Sequence, residues 1–142
     1  MKLDWAILCN GIESKGGLLT LIGVQWDTAW SPDYPATFGG VVVLRFTFEP
    51  GDERSSYPIQ ARFVSDEGKE FAPPIGAEVA PPAPPPNWVE GSSTLATNVA
   101  LIFAGLPVQE PGRYEVQIVQ GGQVLKEIPF WARRGAGPGV IT

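Results

Sequence analysis

Glycine and proline occupy 32 of the 142 positions, and this punctuation constrains the fold more than any other feature of the chain. The longest stretch free of both, residues 92–104, is only 13 residues long. Its Thr94, Thr97, Asn98 and Val99 are poor helix formers. A helix of typical length, about 11–12 residues, has almost nowhere to fit. Short apolar runs between regularly spaced turn signals indicate strands instead. They fall near residues 2–9, 18–26, 41–48, 59–65, 71–79, 95–103, 113–120 and 124–131. About eight strands in one domain predict an all-β, antiparallel two-sheet sandwich spanning residues 1–131.

Alternation assigns the inward faces. Tyr114, Val116 and Ile118 oppose Arg113, Glu115 and Gln117, and Val42, Leu44, Phe46 and Phe48 oppose Arg45, Thr47 and Glu49. On the opening strand, Leu3, Trp5, Ile7 and Cys9 are expected to pack inward together. The run from Leu18 to Val24 is apolar on both faces and is expected in the middle of a sheet. Its Gly23 marks a bulge or a close approach of another backbone. At Gly121-Gly122 a bare two-residue turn would set Glu127 opposite Val116. A three-residue loop with a bulge instead brings Tyr114, Val116 and Ile118 into phase with Val124, Ile128 and Phe130. That requires Gly122 at positive φ. Pro111-Gly112-Arg113-Tyr114 has the form of a tyrosine corner, in which the phenol caps the preceding loop. The prolines between 81 and 86 form a stiff extended loop crossing from one sheet to the other.

The inventory of chemical groups is sparse. The chain has no His and one Cys, which removes His-based triads, internal disulfides and the commonest ligands of a transition metal. Phosphate-binding and EF-hand spacings are absent from the sequence. Asp52-Glu53 and Asp66-Glu67 sit beside Gly51 and Gly68, where solvated turn charges are expected. No cofactor, metal or catalytic residue is expected, and the chain reads as a non-enzyme. A net charge of −5 disfavours nucleic acid as a partner. The opening carries Asp4 where a signal peptide is apolar, and no apolar run reaches a membrane span of about 20 residues. With its lone thiol, the chain is expected in the cytoplasm, away from membranes.

Two clusters remain as candidate binding residues. Trp26, Asp27, Trp30 and Tyr34, together with Trp88, form a candidate aromatic platform for a small ligand or carbohydrate; the alternative is that these aromatics pin a core and a crossover. In the Gly/Pro-rich tail, residues 132–142, Val140 and Ile141 are the only large apolar residues. They are candidates for covering a sheet edge of a neighbouring copy. Protein contact, with a partner or by self-association, is therefore the leading expectation, and ligand binding the alternative.

The opening Leu3-Asp4-Trp5-Ala6-Ile7-Leu8-Cys9-Asn10, the turn at Gly16-Gly17-Leu18, Leu21-Ile22-Gly23 and Trp26-Asp27-Thr28 resemble a family of small bacterial proteins known as a domain of unknown function. Pro111-Gly112-Arg113-Tyr114 and Pro129-Phe130 near the end are similar to the same family. The resemblance extends to about Trp131 and leaves out the tail. It implies an immunoglobulin-like or similar sandwich and carries no activity with it, so it transfers no functional residue.

Overall fold

The structure, a computed structural model, describes residues 1–137 except 17, 25, 50, 51, 53–55, 85, 88 and 90–94. The chain is all-β: 72% of the described residues lie in strands and none in helices. The strands are β1 (Lys2–Cys9), β2 (Gly11–Lys15), β3 (Leu18–Ile22), β4 (Thr28–Ser31), β5 (Ala36–Phe48), β6 (Tyr57–Ser65), β7 (Glu70–Val79), β8 (Leu95–Val108), β9 (Gly112–Gln120) and β10 (Gln123–Arg134). They form a three-stranded sheet β1-β5-β8, a five-stranded sheet β4-β10-β9-β6-β7 curled into a half-barrel, and the hairpin β2-β3. Pairing is antiparallel except between β4 and β10, which run parallel.

The alternating faces identified from sequence are the ones that build the core. One buried cluster joins Val42, Leu44, Phe46 and Phe48 of β5 with Ile59, Ala61 and Phe63 of β6 and Tyr114, Val116 and Ile118 of β9. Residues 80–84 open the connection from β7 of the five-stranded sheet to β8 of the three-stranded one. The tyrosine corner is present: Tyr114 Oη donates to the Glu110 carbonyl at 2.6 Å. At the last hairpin Gly121 and Gly122 have φ of +55° and +79°, with Gln120 opposite Gln123. The turn therefore has two residues, not three. The phase correction comes one step later, in a register shift between Val124 and Lys126 that sets Ile128 opposite Val116 and Phe130 opposite Tyr114. Val124, expected inside, is exposed.

Four further expectations are corrected. There are ten strands among the described residues rather than about eight, because β2 and β4 are short and mostly polar. The sheets are not wholly antiparallel. β3 ends at Ile22, and it is not central: it pairs only with β2 among the described residues. Gly23 ends it at φ +65°, where a Cβ would run into the Asn10 side chain.

The fourth correction concerns β1. Its register shifts between Leu3 and Trp5, so Asp4 is an extra residue and the inward face passes from Leu3 to Ala6 and Leu8. Trp5 is exposed. Cys9 is fully buried, but on the opposite face of the sheet, in a second cluster with Val41 and Val43 that Ile12, Leu19 and Leu21 of the hairpin cover. Burial pushes its thiol above the ordinary value of about 9, against a weaker opposing backbone hydrogen bond at Gly11. Thiolate is the reactive form. Native protein at pH 8 is expected to label far more slowly with a thiol reagent than denatured protein, and rapid labelling would contradict the packing of the hairpin. Because the folded thiol holds its proton more tightly, its contribution to stability is complete below pH 9 and is lost as pH rises further.

Candidate functional site

β4 begins directly after Trp26-Asp27 and lies parallel to the end of β10, with Trp131 opposite Thr28, Ala132 opposite Ala29 and Arg133 opposite Trp30. The Trp131 N–H donates to the Asp27 carbonyl at 2.8 Å, and the Gly135 N–H to the Ser31 carbonyl at 2.9 Å. This ladder separates the aromatics that stand together in the sequence. Trp26 turns inward and meets the Phe130 ring edge-on at 5.6 Å, with its buried Nε1 lacking a hydrogen-bond partner among the described residues. Trp30 turns outward and stays 41% exposed. Tyr34 is half-buried: its hydroxyl donates to the Arg133 carbonyl at 2.8 Å, and the Arg134 guanidinium lies 5.5 Å from its ring. Burial raises the Tyr34 phenol above its ordinary value, with Arg134 opposing.

Trp26, Asp27 and Trp30 do line one open groove of about 610 Å³ with Gly137. Among the described residues a single exposed indole, that of Trp30, faces it, with Trp26 half-buried beside it. Asp27 accepts from its neighbour Thr28 Oγ1 at 3.0 Å. Trp88, Val140 and Ile141 lie outside the described residues. The start of the tail stays on its own chain: a Cβ at Gly135 or Gly137 would stand 3.5 or 3.1 Å from the Trp30 indole.

The neighbouring groove, about 490 Å³, has Trp30 and Trp131 on its walls together with Arg133 and Arg134. Trp131 and Arg133 are absent from the sequence-based candidates. The signal for them is the alternation Phe130-Trp131-Ala132-Arg133, which becomes legible once β10 is known to continue to Arg134. Arg113 lies 5.8 Å from the Trp131 ring and is balanced by Asp66 at 3.4 Å and Glu115 at 3.1 Å.

The second candidate surface is the β2-β3 hairpin. Its inner side, Ile12, Leu19 and Leu21, covers Cys9, Val41 and Val43. Its outer side leaves Leu18 75% and Ile22 53% exposed, with Val24 beyond at 47%. Contiguous apolar surface on a free strand edge is what native proteins ordinarily avoid or use.

Elsewhere the chemistry is structural. Asp52 holds the Met1 amino group at 2.7 Å and accepts from the Glu49 N–H and the Tyr57 hydroxyl. These contacts, the amino group first, hold its carboxyl below the usual range. Among the described residues, no three His, Cys, Asp or Glu side chains converge as a metal site would require. No helix among them is long and apolar enough to cross a membrane.

An all-β chain with two surface candidates and no assembled reactive centre among its described residues is the class these observations define. The chain belongs to a family of unknown function, DUF6941, which it matches over residues 4–133. No curated protein matches it.

Proposed function

We propose that this protein is a non-catalytic, immunoglobulin-like β-sandwich module that acts through protein contacts, and that its contact element is the free edge of β3. The observation that carries the reading is β3 itself: five residues, apolar on both faces, paired on one side only among the described residues. A second copy suits that edge because the segment is nearly symmetric about Thr20. Antiparallel pairing of two β3 edges sets Leu18 against Ile22 of the partner subunit and Thr20 against its own counterpart. The contact is isologous, so it closes after two subunits.

Burying the two copies of Leu18 and Ile22 contributes roughly 1.5–3 kcal/mol per side chain at most. Association costs about 4–15 kcal/mol, so the dimer is expected to be weak and dependent on concentration. Light scattering from micromolar to sub-millimolar protein should show the mass rising from one subunit toward two. Ile22→Lys should hold the chain monomeric without lowering its melting temperature, since Ile22 faces solvent in the monomer. A wild-type chain that stays monomeric throughout would refute the proposal. The buried Cys9 and the absence of His support the non-catalytic part of the reading.

A further inference from the structure

The outer face of the five-stranded sheet holds a feature that contact through β3 leaves unused. On β10, Phe130 and Ala132 are buried, so Trp131 and Arg133 face outward; on β4, buried Ala29 sends Thr28 and Trp30 outward. Parallel register then places Arg133 beside Trp30 and Trp131 beside Thr28. The groove of about 490 Å³ between the two indoles has no acidic side chain among the described residues of its lining.

Its charges are unequal. Arg113, at the edge, is balanced by Asp66 and Glu115. Arg134 donates to the Pro32 carbonyl at 3.2 Å and lies against Tyr34. Arg133 is exposed and has no ion pair among the described residues. Arg134 also has no ion pair among the described residues, but it is engaged by a carbonyl and a ring, whereas the unengaged guanidinium of Arg133 stands beside an exposed indole in a chain of net charge −5.

The geometry points to a binding site here for a sugar ring bearing one carboxylate, a uronic-acid unit of an acidic oligosaccharide. Indoles present flat apolar faces with a polar edge, which suits the C–H face of a pyranose. A guanidinium meets a carboxylate through two parallel N–H···O bonds. Polyphosphates and nucleic acids need several cations along their length, and the groove supplies two, one of them already engaged by the Pro32 carbonyl and the Tyr34 ring. Both key side chains stand on paired strands. The ladder from Trp131 to Asp27 and the bond from Tyr34 Oη to the Arg133 carbonyl hold the backbone beneath them. Binding therefore orders side chains but no loop.

The test is calorimetric titration of the full chain with trigalacturonate and with its methyl ester, which has the same rings and no charge. The acid should bind at least about tenfold more tightly than the ester, and the difference should shrink with added salt. Arg133→Ala should bring the acid down to the affinity of the ester and leave the ester unchanged. Trp30→Ala, or Trp131→Leu should the first variant fold poorly, should weaken both. Equal binding of acid and ester, an unaffected Arg133→Ala variant, or no binding at millimolar acid would overturn the proposal. So would tighter binding of adenosine monophosphate or inorganic phosphate than of the acid.

Discussion

Phe130→Ala is expected to destabilise the protein by about 3–5 kcal/mol, the largest loss from any single truncation considered. Phe130 is fully buried on β10, next to the centre of the five-stranded sheet. Its ring takes the edge of Trp26 at 5.6 Å on one side and stacks on Tyr114 at 5.7 Å on the other. Truncation leaves a cavity between two side chains whose own positions depend on it: Trp26 where the chain enters β4, and Tyr114 through its bond to Glu110. Total stability of a domain is typically about 5–15 kcal/mol, so much of it would go. Thermal unfolding should fall by about 10 °C or more, and the Trp emission of the native state should shift to the red as Trp26 is loosened. Ile102→Ala is the control. That side chain is 63% exposed, and its loss should stay within about 0.5 kcal/mol. Similar losses for the two variants would contradict the assignment of the core.

Gly40→Ala is expected to cost about 1–3 kcal/mol by overpacking. Gly40 is buried in β5 opposite Phe103, beside a register shift. A Cβ there would stand 2.8 Å from Cζ of Phe103 and 3.2 Å from the Cys9 carbonyl oxygen. Phe103 has little room to retreat, since its ring meets Phe63 at 5.2 Å. The carbonyl belongs to the backbone of the adjacent strand. Gly40→Ala combined with Phe103→Leu should therefore lose less than the two single changes added together, a coupling of about 0.5–3 kcal/mol measurable by chemical denaturation. Strict additivity would show that the ring does not limit the site. Gly11→Ala, where a Cβ meets nothing within 4 Å, should show no such coupling to Phe103.

Strands buried on one face were legible because period-2 alternation survives in them: β5 and β9 carry inward rows that match their sequence reading. β2 and β4 were not. β2 offers a single large apolar residue, Ile12, and β4 has four residues whose partner lies about a hundred positions away. No local pattern encodes that pairing.

The two bulges differ instructively. At the last hairpin a charge would have fallen opposite Val116, and this conflict revealed that the phase must change, though not where. At Asp4 an apolar run continued on both faces, so nothing marked the slip, and Trp5, Ile7 and Cys9 were assigned to the wrong side. β3 misled for a related reason. Apolar residues on both faces signify burial only when a layer packs against each face, and among the described residues only the inner face of β3 has one.

Trp26 and Trp30 are close in sequence and line one groove, but only the second belongs to a paired strand, so one indole turns inward and the other outward. The neighbouring groove draws on Trp131 and Arg133, which lie on either side of the expected boundary between sandwich and tail.

The order of strands across the five-stranded sheet has a consequence for biosynthesis. β9 and β10 come last in chain order among the described strands, yet β4 is joined to the β6-β7 pair only through them. At roughly 5–20 residues per second, every nascent chain spends some seconds with β3, the valine run of β5 and the inward face of β6 already synthesised and the strands that complete their shelter not yet joined. A message truncated before codon 112 would yield a product lacking both β9 and β10, with β4 separated from β6 and β7. Synthesis of β9 and β10, rather than successive closure of local units, sets the moment at which this sheet can form.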